Sequence, residues 1–111
     1  MSTNKKEIRR NFRKACFLRD KLSCVMCGLK AKSFEEAEEI FDCHHIANPK
    51  DIINRGNVKQ NGITLCKNDC HIKAEEFHST GTAHPGYSMD DLYKAIGSSL
   101  EEAIEASKKL N

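Results

Sequence analysis

A chain of 111 residues, 39% hydrophobic and 31% charged, has the composition of a globular protein and the size of one compact domain. With no Trp and only 6% aromatic residues its core is small and calls for a structural staple, and no stretch is long enough to span a bilayer. The net charge of +2 conceals an uneven spread: residues 1–32 carry ten Lys or Arg against Glu7 and Asp20, whereas residues 33–43 carry five acids and no base. A basic N-terminal third points to a polyanionic partner, nucleic acid before membrane, with a solvated helix face as the alternative.

In chain order, Asn4 with Glu7 three residues later predicts the cap of a helix over about 4–20. Ile8, Phe12, Ala15, Cys16 and Arg19 fall on one face at helical spacing, and Arg9, Arg10, Arg13 and Lys14 take the others. "LSCVMCG" reads as a knuckle, two Cys followed by Gly28 for a tight turn. Ser33 and Glu36 stand in capping-box register for a short acidic helix. "IFDCHHI" then reads as a strand, "ANPKDIINRGNVKQN" as loop and "GITLC" as a second strand. "CHIKAEEFH" opens a helix that "STGTAHPG" breaks. Ser88 with Asp91 and Ser99 with Glu102 cap two further helices; in the second, Leu100, Ala103, Ile104 and Ser107 share one stripe.

The opening "MSTNKKEIRR" has no apolar signal-peptide core, so an intracellular, cytoplasmic location is the expectation. Thiols there stay reduced, and six Cys read first as metal ligands. Cys24-x-x-Cys27 and Cys66-x-x-x-Cys70 are two close pairs, enough for a closed tetrahedral Zn²⁺ site with no seat for a catalytic water. A redox Cys-x-x-Cys and unrelated buried thiols are the alternatives; the first lacks a thioredoxin-like βαβ context. Cys16 and Cys43 read as core, with Cys43 the reserve ligand should Cys70 fail.

The cysteines bracket His44 and His45. Taken together, "FLRDKLSCVMCG", "DCHHI" and "NGITLC…CH", in that order, resemble the zinc-bearing branch of the HNH nuclease family over about residues 12 to 78. The resemblance implies a small ββα-metal core with a structural four-Cys zinc site; flanked by the basic N-terminal helix and by the C-terminal helices, which the resemblance does not explain, it makes an α+β fold. It also implies site roles. His45 matches the general base that deprotonates the attacking water, and His44 and His71 match ligands of the catalytic metal. Asn61 matches the Asn that braces loop and strand and so holds the base in place.

The chemistry is consistent with those roles. Hydrolysis of a phosphodiester needs a nucleophilic water and charge neutralisation on phosphorus and the leaving oxygen. A neutral His can take the proton near pH 7, and one divalent ion can supply the charge. Neighbouring side chains on a strand diverge, which suits His44 and His45 to different tasks. Asp42, two residues before His44 on the same face, is expected either to orient His44 or to be a solvated acid. Glu75 and His78 share a helix face with His71. A carboxylate at Glu75 would favour Mg²⁺ or Mn²⁺ as the catalytic ion; His78 reads as packing and His84 as a loop residue.

The expectation is therefore a single HNH domain over residues 1–111, with its core at about 20–80 and a helical extension at about 86–110. It is a metal-dependent DNA endonuclease of the kind carried by phages or mobile elements. Structural Zn²⁺ and catalytic Mg²⁺ or Mn²⁺ are its cofactors and DNA its partner, with no membrane, and specificity is left to a homodimer or a larger complex. The alternative is a zinc-stapled nucleic-acid-binding module with an idle site.

Overall fold

The computed structural model describes residues 4–110, which form an α+β structure of five α-helices and one two-stranded antiparallel sheet. Helix α1 (Lys5–Arg19) starts where its cap predicts: Asn4 Oδ1 accepts the Glu7 N–H at 2.8 Å. Its buried face departs from the expected stripe. Phe17 is fully buried with Phe12 and Cys16, whereas Ile8 and Ala15 are half-buried. Arg19 has a polar task. Its guanidinium donates to the Lys59 carbonyl and, at 2.7 Å, to the Gly62 carbonyl, and it pairs with Asp20 at 2.7 Å. Asp20 Oδ2 in turn accepts the Thr64 N–H at 3.1 Å. The helix thus lies hard against the second strand, and Gly62 is what permits it. A Cβ there would come within 2.5 Å of Cys16 Sγ and 2.6 Å of Phe12 Cε1.

Helix α2 (Phe34–Ile40) takes its cap from Ser33 Oγ, which accepts the Glu36 N–H at 3.1 Å. The reciprocal half of a capping box is absent, because the Glu36 carboxylate instead accepts the Lys32 N–H at 2.9 Å. The expected strand is shorter than its apolar run. Ile40 ends α2, and β1 runs Phe41–His45. It pairs with β2 (Gly62–Cys66) in a register that sets Phe41 opposite Cys66, His44 opposite Ile63 and His45 opposite Gly62. Every residue of β2 is buried.

The connection between the strands contains a left-handed turn in which Asn54 (φ 52°), Arg55 (φ 62°) and Gly56 (φ 63°) follow one another. A non-glycine residue in that region costs about 1–2 kcal/mol, so something must hold the turn. Asn54 Nδ2 donates to the Ser107 carbonyl at 2.8 Å and the Leu110 carbonyl at 3.1 Å, and Asn61 Nδ2 donates to the Gly56 carbonyl at 3.2 Å.

Helix α3 (Cys70–Thr80) packs against both strands and ends at Gly81 in the left-handed conformation (φ 80°). Helix α4 (Met89–Ala95) carries the complete Ser88–Asp91 capping box. Helix α5 (Leu100–Lys108) is capped by Ser99 Oγ on the Glu102 N–H at 3.1 Å. Of its expected stripe, Ala103 and Ser107 are buried while Leu100 remains exposed. Leu92, Tyr93 and Ala103 join the same buried cluster as Phe17, Ile63 and Leu65. Among the described residues no helix is long and apolar enough to cross a membrane.

Candidate functional site

The two Cys pairs, 38 residues apart in sequence, meet in space. The sulfurs of Cys24, Cys27, Cys66 and Cys70 all lie within 4.8 Å of one another. A tetrahedral zinc site with bonds of ~2.3 Å has sulfur–sulfur edges of about 3.8 Å; Cys27 Sγ and Cys66 Sγ are 3.8 Å apart. The knuckle is formed by local bonds, Gly28 N–H to the Cys24 carbonyl and Cys24 N–H to the Leu29 carbonyl, and is tied to β2 by the Val25 N–H on the Thr64 carbonyl at 3.0 Å. Burial pushes the Cys70 thiol well above its ordinary range, although the Tyr87 hydroxyl donates to its sulfur at 3.3 Å. Four sulfurs at these spacings are a donor set that fits a structural Zn²⁺. Cys70 completes the cluster. Cys43 lies outside it, and Cys16 is buried in the core as expected.

A second cluster joins β1 to α3. His44, His71 and Glu75 each offer one ligand atom, all within 4.8 Å of one another. Glu75 Oε2 stands 3.1 Å from His44 Nδ1 and 3.2 Å from His71 Nε2. Ligands at ~2.1 Å from a divalent ion and at right angles are about 3.0 Å apart, so these spacings suit one shared ion. The charge states suit it too. Burial lowers the His44 pKa, and the hydrogen bond with His44 holds the Glu75 carboxyl down to about 2, so an imidazole and a carboxylate meet here and a cation would take the place of the proton between Nδ1 and Oε2.

The side chains of Asp42 and His44 both reach α3, as their shared strand face requires, but Asp42 does not orient His44. Its Oδ2 accepts from His71 Nδ1 at 2.7 Å. That bond puts the proton of His71 on Nδ1 and leaves the Nε2 lone pair facing Glu75, the arrangement by which a carboxylate orients a metal-binding imidazole. Neither expected role of Asp42, orienting His44 or standing as a solvated acid, describes this bond, because strand spacing places Asp42 on a face without saying which α3 side chain stands above it.

His45 diverges from His44 as the strand predicts. Its ring stacks on Phe12 of α1 with centroids 4.6 Å apart, and its Nε2 lies 2.7 Å from Asn57 Oδ1. Burial lowers its pKa, so the ring is neutral near pH 7 and free to accept a proton. Asn61 does not touch this ring. It is fully buried and braces the chain beyond it: its Oδ1 accepts the Ala47 N–H at 2.9 Å, its Nδ2 donates to the carbonyls of Ala47 and Gly56, and its own carbonyl accepts the Ile46 N–H at 2.8 Å. His78 packs as expected, stacked on His44 with centroids 5.0 Å apart, and its Nε2 donates to the His45 carbonyl at 2.8 Å. His84 stands away from both clusters, beside Glu76 and Tyr87.

Asp42, His44, His45, His71, Glu75 and His78 line one open cleft of about 410 Å³, and Arg9 and Arg13 of α1 line it with them. The basic helix therefore faces the histidine cluster. Within it, Arg13 also reaches Glu38 at 3.3 Å. Asn57 and Tyr93 carried no sequence signal. The first sits in an irregular loop; the second, whose hydroxyl donates to Asn61 Oδ1 at 2.6 Å, reads in the sequence as an ordinary helix residue. No protein-family model, curated protein or solved structure matches the chain.

Proposed function

We propose that the protein is a metal-dependent endonuclease of the HNH type, with a ββα-metal core, that hydrolyses phosphodiester bonds in DNA. The observation that carries this reading is the convergence of His44 Nδ1, His71 Nε2 and Glu75 Oε2 beside His45, in a cleft rimmed by Arg9 and Arg13. His44, His71 and Glu75 would hold Mg²⁺ or Mn²⁺, which when bound neutralises charge on the phosphate and on the leaving oxygen. Arg9 and Arg13 draw the DNA backbone to the cleft as counter-charges to its phosphates. His45 takes the proton of the attacking water as its oxygen bonds to phosphorus. The bond from phosphorus to the 3′-oxygen breaks, and the departing oxygen takes a proton from solvent. The products are a 5′-phosphate and a 3′-hydroxyl. Asp42 keeps His71 in the tautomer that ligation needs, and Asn61 keeps the strand end and the returning loop together behind His45.

The test is incubation of the purified protein with supercoiled plasmid in Mg²⁺ or Mn²⁺, with EDTA as control. Nicked or linear DNA that appears only with the metal, and disappears in a His45→Ala variant, is the expected result. Plasmid that is bound but left intact in either metal would overturn the enzyme and leave a zinc-stapled nucleic-acid-binding module.

A further inference from the structure

We infer that Asn57 is a positioning residue for His45: its side-chain oxygen, 2.7 Å from Nε2, fixes the imidazole in the tautomer whose lone pair is on Nδ1. An amide oxygen can only accept, so the bond exists only if Nε2 carries the proton. Nδ1 then remains as the atom that receives the proton of water. The inference deepens the endonuclease reading and rests on it for the task of His45.

The surroundings of Asn57 are those of a built support. On its face the ring is stacked against Phe12 at 4.6 Å, so ring plane and ring rotation are both held. Asn57 follows directly on the left-handed turn of Asn54, Arg55 and Gly56. That turn is clamped by two bonds from Asn54 to carbonyls at the end of α5 and by one from Asn61 to Gly56. Gly56 leaves no room for a side chain, since a Cβ there would lie 2.4 Å from Asn61 Nδ2. Helix α5 thus contributes to the site from a distance, by holding the turn that delivers Asn57. A third group that orients a base and sets its tautomer is a recurrent need of acid–base catalysis.

Two measurements on the full chain test the inference. The first is the ¹⁵N chemical shifts of the His45 ring, taken by NMR in mildly alkaline buffer on wild type, Asn57→Ala and Asn57→Asp. Wild type should show a protonated Nε2 and an unprotonated Nδ1. Asn57→Ala should lose that preference, and Asn57→Asp, which keeps an oxygen acceptor, should retain it. The second is plasmid cleavage at saturating Mn²⁺: Asn57→Ala should lower kcat by about 10²-fold, as misplacement of a reacting group does, with KM little changed and most of the rate restored in Asn57→Asp. A wild-type His45 protonated on Nδ1, or an Asn57→Ala variant with unaltered ¹⁵N shifts, would overturn the inference. If Nε2 carries the proton as expected but the wild type does not cleave, the hydrogen bond stands. The endonuclease reading then falls, and with it the part of Asn57 in cleavage.

Discussion

Tyr93 of α4 donates its hydroxyl to Asn61 Oδ1 at 2.6 Å, deep in the core and 32 residues along the chain. The same oxygen accepts the Ala47 N–H, so one buried amide joins α4, the segment after β1 and, through Nδ2, the left-handed turn. Removing the hydroxyl with Tyr93→Phe should cost about 0.5–1.5 kcal/mol in chemical denaturation, the net worth of a buried bond whose acceptor keeps a second donor. Burial raises the Tyr93 pKa to about 12, above its unfolded value near 10. Between those values the folded state binds the proton more tightly, so this contribution is whole below about pH 10 and is lost as pH rises towards 12. Wild type should therefore lose more stability than Tyr93→Phe over that window, and parallel curves for the two proteins would contradict the account.

The four-Cys cluster predicts about one tightly held Zn²⁺ per chain by elemental analysis. Structural zinc carries on the order of 10 kcal/mol in small modules, more than a core of this size can spare. Cys27→Ser should lose the metal and unfold, as seen by circular dichroism. A zinc-free wild type of normal stability would argue against the staple.

Asp42→Asn should keep the fold and weaken the hold of His71 on its proper tautomer. Metal affinity should drop by about 10–100-fold, the usual cost of losing the carboxylate behind a ligating imidazole. Titration of cleavage against Mn²⁺ would then show a higher midpoint with the plateau largely recovered. An unmoved midpoint would make Asp42 an acid of no consequence to the site.

The neighbours His44 and His45 should separate in the same titration. His44→Ala removes a ligand, and mass action at high Mg²⁺ or Mn²⁺ should restore part of its activity. His45→Ala removes the proton acceptor, lowers cleavage by about 10²–10⁴-fold and should not respond to added metal. An identical response of the two variants would refute the division of labour.

Arg9, Arg10 and Lys14 are exposed on α1, while Arg13, half-buried at the cleft, also pairs with Glu38. Replacing the three exposed bases with Ala should weaken binding to all DNA sequences alike. The slope of log affinity against log salt should fall by about one for each phosphate that is no longer neutralised. An unchanged slope would return this face of α1 to the solvent.

What the sequence determined by itself is what depends on spacing along the chain. Helix caps at Asn4, Ser33, Ser88 and Ser99 join a side chain to an amide three residues on, and all four form. Alternation along β1 parts His44 from His45, and the two Cys pairs each set two sulfurs within reach of one ion. The tertiary structure alone decided which distant groups meet. Asp42 turns to His71 rather than His44, Asn57 takes the ring of His45 while Asn61 braces the chain behind it, and Tyr87 and Tyr93 bring the C-terminal segment onto Cys70 and Asn61. The buried face of α1 was decided there as well, because Phe17 is covered by Phe34 and Phe41, which pack on it from α2 and β1. Periodicity says which face a side chain takes. Its partner is set by how helices and strands settle to exclude water and satisfy buried polar atoms, and no local spacing encodes that.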